Sequence, residues 1–222
     1  GAGKMFISYN EACARDCSTL EQDLVLCEKA GFDYIEIRLD MLTDYLKRHT
    51  VEELAAFFCT SRLKPHAFNA LYLYPEFLSE GDDEARQKEL LEEFRLGCEV
   101  GRAIGSHYFI IVPPLQRDPA GGPYTGSWED TFSNCVRILK ELSRRAEPYD
   151  MNLCFELVGF ERSSVRSIGQ ADAVVRAVDR PNVGFVFDSY NIFLNGGCND
   201  FSAIGSVQPE KIFAVHLMSA DD

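Results

Sequence analysis

Three residues able to bind a metal follow three apolar runs in the second half of the chain. Glu156 closes the run that begins at Asn152, Asp188 closes the run from Val183, and His216 closes the run from Ile212. Short apolar runs between turn signals are typical of strands buried on both faces. Because helix-length inserts separate them, the pattern predicts one polar site at the carboxyl end of a parallel barrel.

Each residue taken alone also has an ordinary structural explanation. Glu156 could form an ion pair inside the protein, because a buried carboxylate needs a partner. Asp188 could cap a following helical segment, and His216 could be a hydrogen-bonded core residue. Together, however, the three form a mixed oxygen and nitrogen donor set suited to one divalent metal, Mn, Zn, Co or Mg.

Strand and helix signals alternate along the whole chain. The pattern predicts seven strand–helix units, with helices opened by capping boxes at Ser18–Glu21 and Thr50–Glu53 and by a cap at Ser167. Such alternation favours a parallel sheet with right-handed crossovers. We expect a single (β/α)8 TIM barrel domain over residues 1–222, truncated after the seventh strand. A doubly wound open sheet is the main competitor, but the chain contains neither G-x-G-x-x-G nor a P-loop.

Composition narrows the classes of partner. The 222 residues carry a formal net charge of −13, which opposes binding to a phosphate backbone, so nucleic acid is not an expected partner. No apolar run approaches the length of a membrane span, so no membrane partner is expected either. The eight cysteines lack a C-x-x-C pair. They favour buried, reduced thiols in a cytoplasmic protein.

At this point the sequence resembles a known family, the xylose-isomerase-like TIM barrels of the sugar isomerase and epimerase class. Within that class it is most similar to the inosose (2-keto-myo-inositol) isomerases of myo-inositol catabolism. The resemblance covers nearly the whole chain. Its most specific parts are the string Asp33–Arg38 and the ordered Glu, Asp and His set. Further matches are Asn10-Glu-Ala12, Phe68-Asn-Ala-Leu71, Phe155-Glu-Leu-Val-Gly159, Asp188-Ser-Tyr190 and Val215-His216.

The resemblance implies that Glu156, Asp188 and His216 are three of four ligands to one divalent metal. The fourth ligand of the family is a Glu at the end of the eighth strand, and it has no counterpart before Asp222. An open barrel would expose a sheet edge. We therefore expect a longer natural protein.

The resemblance also implies a reaction. In the family, a keto sugar or keto cyclitol passes through an enediolate, and a carboxylate moves the proton. Glu156 is the expected acid/base, and hydroxyls of the substrate are expected to contact Glu36, Arg38, Asn69, Asn191 and Asn10. Many relatives carry a His where this chain has Asn191. For Glu36, Arg38 and Asn69 a structural role is an equally weighted explanation, since a Glu and an Arg on neighbouring strands often pair with one another. Asn10 and Glu11 could line the same mouth.

Other activities remain open from the sequence alone. A metal-dependent dehydratase would use the same ligands, and a non-catalytic sugar-binding barrel would fit the incomplete ligand set. An apurinic endonuclease would need a His-rich cluster and a basic face, which four histidines and the negative charge disfavour. His66 and His107 are expected to be structural, and His49, beside the cap at Thr50, is expected to be exposed. Enzymes of this kind are often homo-oligomers, but no interface is readable from the sequence.

Overall fold

The structure is a computed structural model that describes residues 6–11, 17–188 and 203–216, without the side chains of residues 119, 188 and 214–216. Seven strands occur in chain order across one sheet. They are β1 (Ser8–Asn10), β2 (Tyr34–Arg38), β3 (Lys64–Tyr72), β4 (Tyr108–Val112), β5 (Asn152–Glu156), β6 (Val183–Asp188) and β7 (Ile212–His216).

The helices of the described residues lie between these strands. They are α1 (Leu20–Ala30), α2 (Leu39–Tyr45), α3 (Val51–Thr60), α4 (Glu84–Ile104), α5 (Trp128–Ala146) and α6 (Ile168–Val178). The β1–β2, β2–β3, β5–β6 and β6–β7 ladders are parallel. A doubly wound sheet reverses its strand order at a switch point. The uninterrupted order seen here excludes that fold and confirms the TIM barrel class.

The chain divides into two compact units, each described by itself. The first comprises residues 1–70, 91–109 and 149–151, and the second comprises residues 71–90, 110–148 and 152–222. In the first unit, α1 begins one residue later than the sequence pattern predicted. The capping box pairs Thr19 with Gln22 rather than Ser18 with Glu21, because Gln22 reaches back to the amide of Thr19. The capping box of Thr50 and Glu53 is confirmed.

Glycines in α4 let this helix lie close to its neighbours in the first unit. A Cβ at Gly101 would stand 2.5 Å from Met151 Cε and 2.8 Å from the carbonyl oxygen of Ser106. A Cβ at Gly97 would meet the ring of Phe109 at 2.3 Å. Both positions therefore require the absence of a side chain for the observed packing.

The second unit is built on the most amphipathic helix, α5. Ser127 caps it, and its buried face carries Thr131, Cys135, Ile138, Leu139 and Leu142. The sequence pattern instead assigned Phe132 and Val136 to the core together with Leu139, and those two side chains are only partly buried. The prediction was wrong by one position along the helix, since Cys135 and Ile138 hold the centre of the stripe.

Two loops of the second unit are joined by hydrogen bonds. The segment 113–127 follows β4, and the segment 157–167 follows β5; together they are called the paired loops. Pro114 O accepts from Ser164 N at 3.0 Å, and Gln116 N donates to Arg162 O at 2.7 Å. The Arg162 guanidinium then donates back to Gln116 O at 2.7 Å. The irregular Gly- and Pro-rich stretch is therefore ordered by its neighbour.

Two sequence-based expectations on composition can be compared with the described residues. The six described cysteines are all free, but Cys17 and Cys59 are exposed, so the expectation of buried thiols was wrong for these two. Within the described part of the chain, no helix is both long and apolar enough to cross a membrane.

Candidate active site

Four predicted substrate-binding residues are brought together by the ladders between β1, β2 and β3. Asn10 and Arg38 end β1 and β2, whereas Asn69 lies three residues before the end of β3. The ladders pair Asn10 with Glu36 and Arg38 with Asn69. Paired residues of parallel strands share a face, and residues two apart on a strand share it too. Asn10, Glu36, Arg38 and Asn69 therefore lie on one face of the first unit's sheet, as a group called the β1–β3 cluster.

The members of the β1–β3 cluster differ in exposure. Glu36 is only 2% exposed, whereas Asn10 and Asn69 are partly buried. The side chain of Arg38 is 17% exposed and forms an ion pair with Asp40, with Nε 3.0 Å from Oδ1. Because Asp40 is 65% exposed, water weakens this pair. The cluster thus combines one buried carboxylate, one guanidinium and two amides, a set that can both donate to and accept from hydroxyl groups.

Glu11, which follows β1, is fully buried and does not line an open mouth as expected. Its Oε1 accepts a hydrogen bond from the backbone N of Arg38 at 3.2 Å. Its carboxyl group also contacts the Asp23 carboxyl group, which is 1% exposed. Burial first, and then Asp23, raises the pKa of Glu11 to about 10.

A proton between these two carboxyl groups resolves a shortage of donors. If both were ionised, Glu11 Oε2 and both carboxylate oxygens of Asp23 would be buried without a hydrogen bond from any residue that the structure describes. Leaving such atoms unsatisfied is costly, so a neutral Glu11 that donates to Asp23 is the stable arrangement. Glu11 thereby helps to hold the β1–β3 cluster in place, because its carboxyl group accepts a hydrogen bond from the backbone of Arg38.

The sequence analysis missed the Glu11–Asp23 pair, although α1 contains a signal for it. Asp23 lies on the same helical face as Leu20, Leu24 and Cys27, all of which are buried. An acid on an apolar stripe needs a buried partner. The same two carboxyl groups, after burial itself, raise the pKa of Cys27 to about 12.

The predicted metal ligands belong to the three neighbouring strands β5, β6 and β7 of the second unit. Asp188 is paired directly with His216, and Glu156 is paired with Val186, two residues before Asp188. The three positions therefore share one face of the sheet. The Glu156 side chain is partly buried. The side chains of Asp188 and His216, and the whole of Asn191, lie outside the described residues.

These positions fit one divalent metal by donor chemistry and register. Two carboxylates and an imidazole are ligands of Zn, Mn and Co. Pairing of the Asp188 and His216 backbones brings two of the three positions to the separation of adjacent strands, about 4.8 Å. Among the described side chains no group of three potential ligands is assembled. That comparison includes only Glu156 of the predicted set.

A polar cavity of about 340 Å³ opens beside the paired loops. Its lining includes Tyr124, Trp128, Glu161, Ser163 and Arg166. The Ser163 hydroxyl is already bound to Val165 O, and the Nε atom of Arg166 is buried without a partner among the described residues. No predicted site residue lines this cavity.

The remaining described histidines have structural partners. His49 Nδ1 lies 2.8 Å from Glu53 Oε2, and its ring stacks on Tyr45. His66 stacks on Tyr108. His107 Nδ1 lies 3.0 Å from the carbonyl oxygen of Asp150. The partnerships of His66 and His107 agree with the expectation of structural roles, and the His49 side chain, expected to be exposed, is 38% exposed.

Comparisons with known proteins agree with this architecture. The family model described as xylose isomerase-like TIM barrel matches residues 24–222. A protein of Bacillus velezensis named inosose isomerase is 36% identical over 219 residues, which are 98% of this chain and 74% of the relative. An inosose isomerase of Bacillus subtilis is 35% identical over the same shares.

A solved structure gives the same result. The IolI protein, crystallised with a bound zinc atom, is similar with a TM-score of 0.85 and 35% identity, over 98% of this chain and 74% of that one. The resemblance predicted from the sequence is confirmed. This chain belongs to the xylose isomerase-like TIM barrel family.

Proposed function

We infer that this protein is an isomerase of a keto cyclitol of the inosose type, dependent on one divalent metal. An isomerase acting on a sugar or cyclitol is the activity that the relatives named inosose isomerase support. The observation that carries the finer proposal is the pairing of Asp188 with His216 beside Glu156, at the ends of adjacent strands. The similar IolI protein binds zinc, which supports a metal at these ligand-type residues.

We assign the metal to Glu156, Asp188 and His216. A divalent ion bound there would supply Lewis-acid stabilisation of negative charge on substrate oxygen. The residues themselves carry the rest of the chemistry. Asp188 and His216 hold their positions through the β6–β7 ladder, so a substrate would meet a preorganised edge of the sheet.

We assign the proton transfer to Glu156. Its carboxylate removes the proton from the carbon that bears the adjacent hydroxyl and returns it to the neighbouring carbonyl carbon, while the hydroxyl proton passes to the former carbonyl oxygen. The position of Glu156 at the end of β5, beside the paired Asp188 and His216, supports this role.

Substrate orientation is assigned to Asn10, Glu36, Arg38, Asn69 and Asn191. Ring hydroxyls both donate and accept hydrogen bonds, and this set offers amide, guanidinium and carboxylate groups. The cytoplasm is the proposed location, since the six described cysteines are free thiols.

Deuterium exchange tests the reaction. The metal-loaded protein should exchange the α-proton of 2-keto-myo-inositol with deuterium oxide and form an isomeric ketone. Glu156→Gln should remove exchange while leaving the fold intact, since the amide has nearly the same shape. His107→Gln, which alters a histidine outside the predicted ligand set, is the control and should keep full exchange.

Other products would replace the proposal. Loss of water from the same substrate would identify a dehydratase. Saturable binding of the substrate without any exchange would identify a sugar-binding barrel. Exchange that persists in Glu156→Gln would remove Glu156 as the base but keep the isomerase.

A further inference from the structure

A cavity of about 440 Å³ on the second unit is surrounded by positive charge. Its lining residues are Leu78, Arg137, Lys140, Glu141, Arg144 and Arg180. Four cationic side chains and one carboxylate leave a formal charge of +3 in a chain whose net charge is −13. None of the predicted site residues takes part. A cluster of positive charge on a negatively charged protein attracts anions, so an anionic ligand is the natural candidate for this cavity.

One stripe of α5 supplies most of this charge. Arg137, Lys140, Glu141 and Arg144 are spaced by three or four residues, so they occupy one face of the helix. Arg180 reaches the cavity from the segment between α6 and β6, and Leu78 from the segment between β3 and α4. The cavity is therefore lined from three separate parts of the second unit, two of which supply its cations.

The cavity's only carboxylate is already committed. Glu141 accepts from Arg144, with Nε 3.1 Å from Oε2, and from Arg145, with Nε 2.9 Å from Oε1. Hydrogen bonding by Arg144 lowers the pKa of Glu141, so it is an anion held between two guanidinium groups. It cannot neutralise the other cations of the cavity as well.

The other three cations lack an acidic partner within the described residues. Arg137 donates to Phe77 O at 2.6 Å and to Pro75 O, which fix its guanidinium without cancelling its charge. Lys140 and the side chain of Arg180 form no ion pair with any residue that the structure describes. Arg137 is thus a pre-oriented cation, and Lys140 and Arg180 are available to a ligand.

We propose that this α5 cavity is a binding site for a small multivalent oxyanion of the phosphate class, separate from the active site. Phosphate oxygens are the acceptors that guanidinium and ammonium groups match best. A volume of about 440 Å³ is within the roughly 300–1,000 Å³ of small-molecule pockets, so it accommodates a phosphate ester as well as free phosphate.

Calorimetric titration tests the site on the intact protein with three probes, inorganic phosphate, inorganic pyrophosphate and glucose 6-phosphate. We expect saturable binding with one site per chain. Pyrophosphate should bind more tightly than phosphate because it carries more charge. Glucose 6-phosphate binding tighter than phosphate identifies a phosphate ester as the ligand, and the reverse order identifies the free anion.

A double variant separates this site from general charge attraction. Lys140→Ser with Arg180→Ser should weaken pyrophosphate binding by at least about tenfold, because two charge-assisted contacts are lost. Lys47→Ser with Lys88→Ser removes the same charge at exposed positions outside the cavity and should leave Kd unchanged. Amide chemical shifts of residues 137–144 should move on titration.

Two results would overturn the proposal. One is the absence of saturable binding with all three probes. The other is an equal loss of affinity in the two double variants, because binding would then follow net charge rather than the cavity. Circular dichroism of each variant confirms that the fold is retained. Lys47, Lys88 and Lys140 form no ion pair among the described residues, so their substitution should not unfold the chain.

Discussion

A single proton decides the electrostatics behind the β1–β3 cluster. Glu11 and Asp23 are both buried, and their carboxyl groups are in contact. The folded pKa of Glu11, about 10, is above its ordinary value of 4.5. A raised pKa means that the folded state binds this proton more tightly than the unfolded state. The resulting stability is fully present below pH 4.5 and is lost as the pH rises toward 10.

Glu11→Gln should make stability less dependent on pH. The amide replaces the neutral carboxyl group and can still donate to Asp23. Because Gln is uncharged in both the folded and the unfolded chain, this residue no longer binds or releases a proton on unfolding. Between pH 5 and pH 9, urea titrations should show a free energy of unfolding that falls with pH in the wild type. In the variant the slope should be smaller, by up to about 1.4 kcal/mol per pH unit.

Glu89→Gln, at an exposed position on α4, is the matched control and should keep the slope of the wild type. An unchanged slope in Glu11→Gln would show that Glu11 is ionised in the folded protein.

For single residues, the sequence predicts which side chains could have a chemical role better than it predicts which side chains contact each other. The positions of Glu36 and Arg38 near the end of β2 followed from the apolar run of that strand, and the ladders confirm that they lie together with Asn69. Asn69 itself lies three residues before the end of β3, not at its end as the sequence pattern suggested. The contact of Glu11 with Asp23 did not follow. It depends on how closely α1 lies against the end of β1, which no local pattern encodes. The same limit applies to the Arg38–Asp40 pair.

At the scale of a secondary-structure element, the close packing around helix α4 leads to a second prediction. Gly101→Ala should destabilise the protein, because the new methyl group would stand 2.8 Å from the carbonyl oxygen of Ser106, a backbone atom that cannot rotate away. Overpacking costs roughly 1–3 kcal/mol. It outweighs the gain of about 1 kcal/mol from replacing a helical glycine.

Thermal unfolding of Gly101→Ala should therefore show a lower Tm. Gly169→Ala in α6 is the control, since its nearest neighbour would be Ser167 Oγ at 3.9 Å. That variant should be as stable as the wild type or slightly more stable. A Gly101→Ala protein of unchanged Tm would mean that α4 can shift away from the carbonyl at little cost.

The start of α1 gives a third prediction. Thr19→Ala should lower the free energy of unfolding by about 1 kcal/mol, because the Thr19 hydroxyl accepts from Gln22 N. Ser18→Ala removes the neighbouring hydroxyl, which makes no hydrogen bond among the described residues, and should have little effect. Urea denaturation of both variants distinguishes them. The opposite order would place the cap at Ser18, as the sequence pattern first suggested.

The sequence pattern predicted where most helices occur better than it predicted which face of each helix is buried. Periodicity found α1, α3, α4, α5 and α6, because apolar residues recur at helical spacing in each of them. It missed the short α2, which follows β2 without a turn signal. In α5 it selected Phe132 and Val136, although smaller Thr131 and Cys135 are the buried neighbours. Residue size does not reveal which face meets the sheet.

At the scale of the whole molecule, binding of a divalent metal should raise the free energy of unfolding. A divalent metal that binds only the folded state raises stability by about 2.7 kcal/mol at a hundredfold excess over Kd. Zinc added to metal-free protein should raise Tm, and a chelator should reverse the rise. His216→Gln should abolish most of the shift, whereas His107→Gln should preserve it. Equal shifts in the two variants would place the metal away from β7.

The barrel class followed from alternation of strands and helices and from the lack of dinucleotide-binding motifs. Strand order then removed the doubly wound alternative, which alternation alone had left open. The ligand set was predicted because polar residues at the ends of buried strands have few structural uses, and it stays a prediction. The cationic α5 cavity was not found, because its residues come from three distant segments and each charged residue alone is an ordinary surface charge.

The paired loops have a consequence for protein engineering. Because Pro114, Gln116 and the Arg162 guanidinium hold the two segments together, each loop's shape depends on the other. A transplant of residues 113–127 alone from a homologue would separate two segments that hold each other in shape through these hydrogen bonds. The natural module for recombination is therefore discontinuous. It joins two segments on either side of α5 and β5, and a chimera should inherit both from one parent.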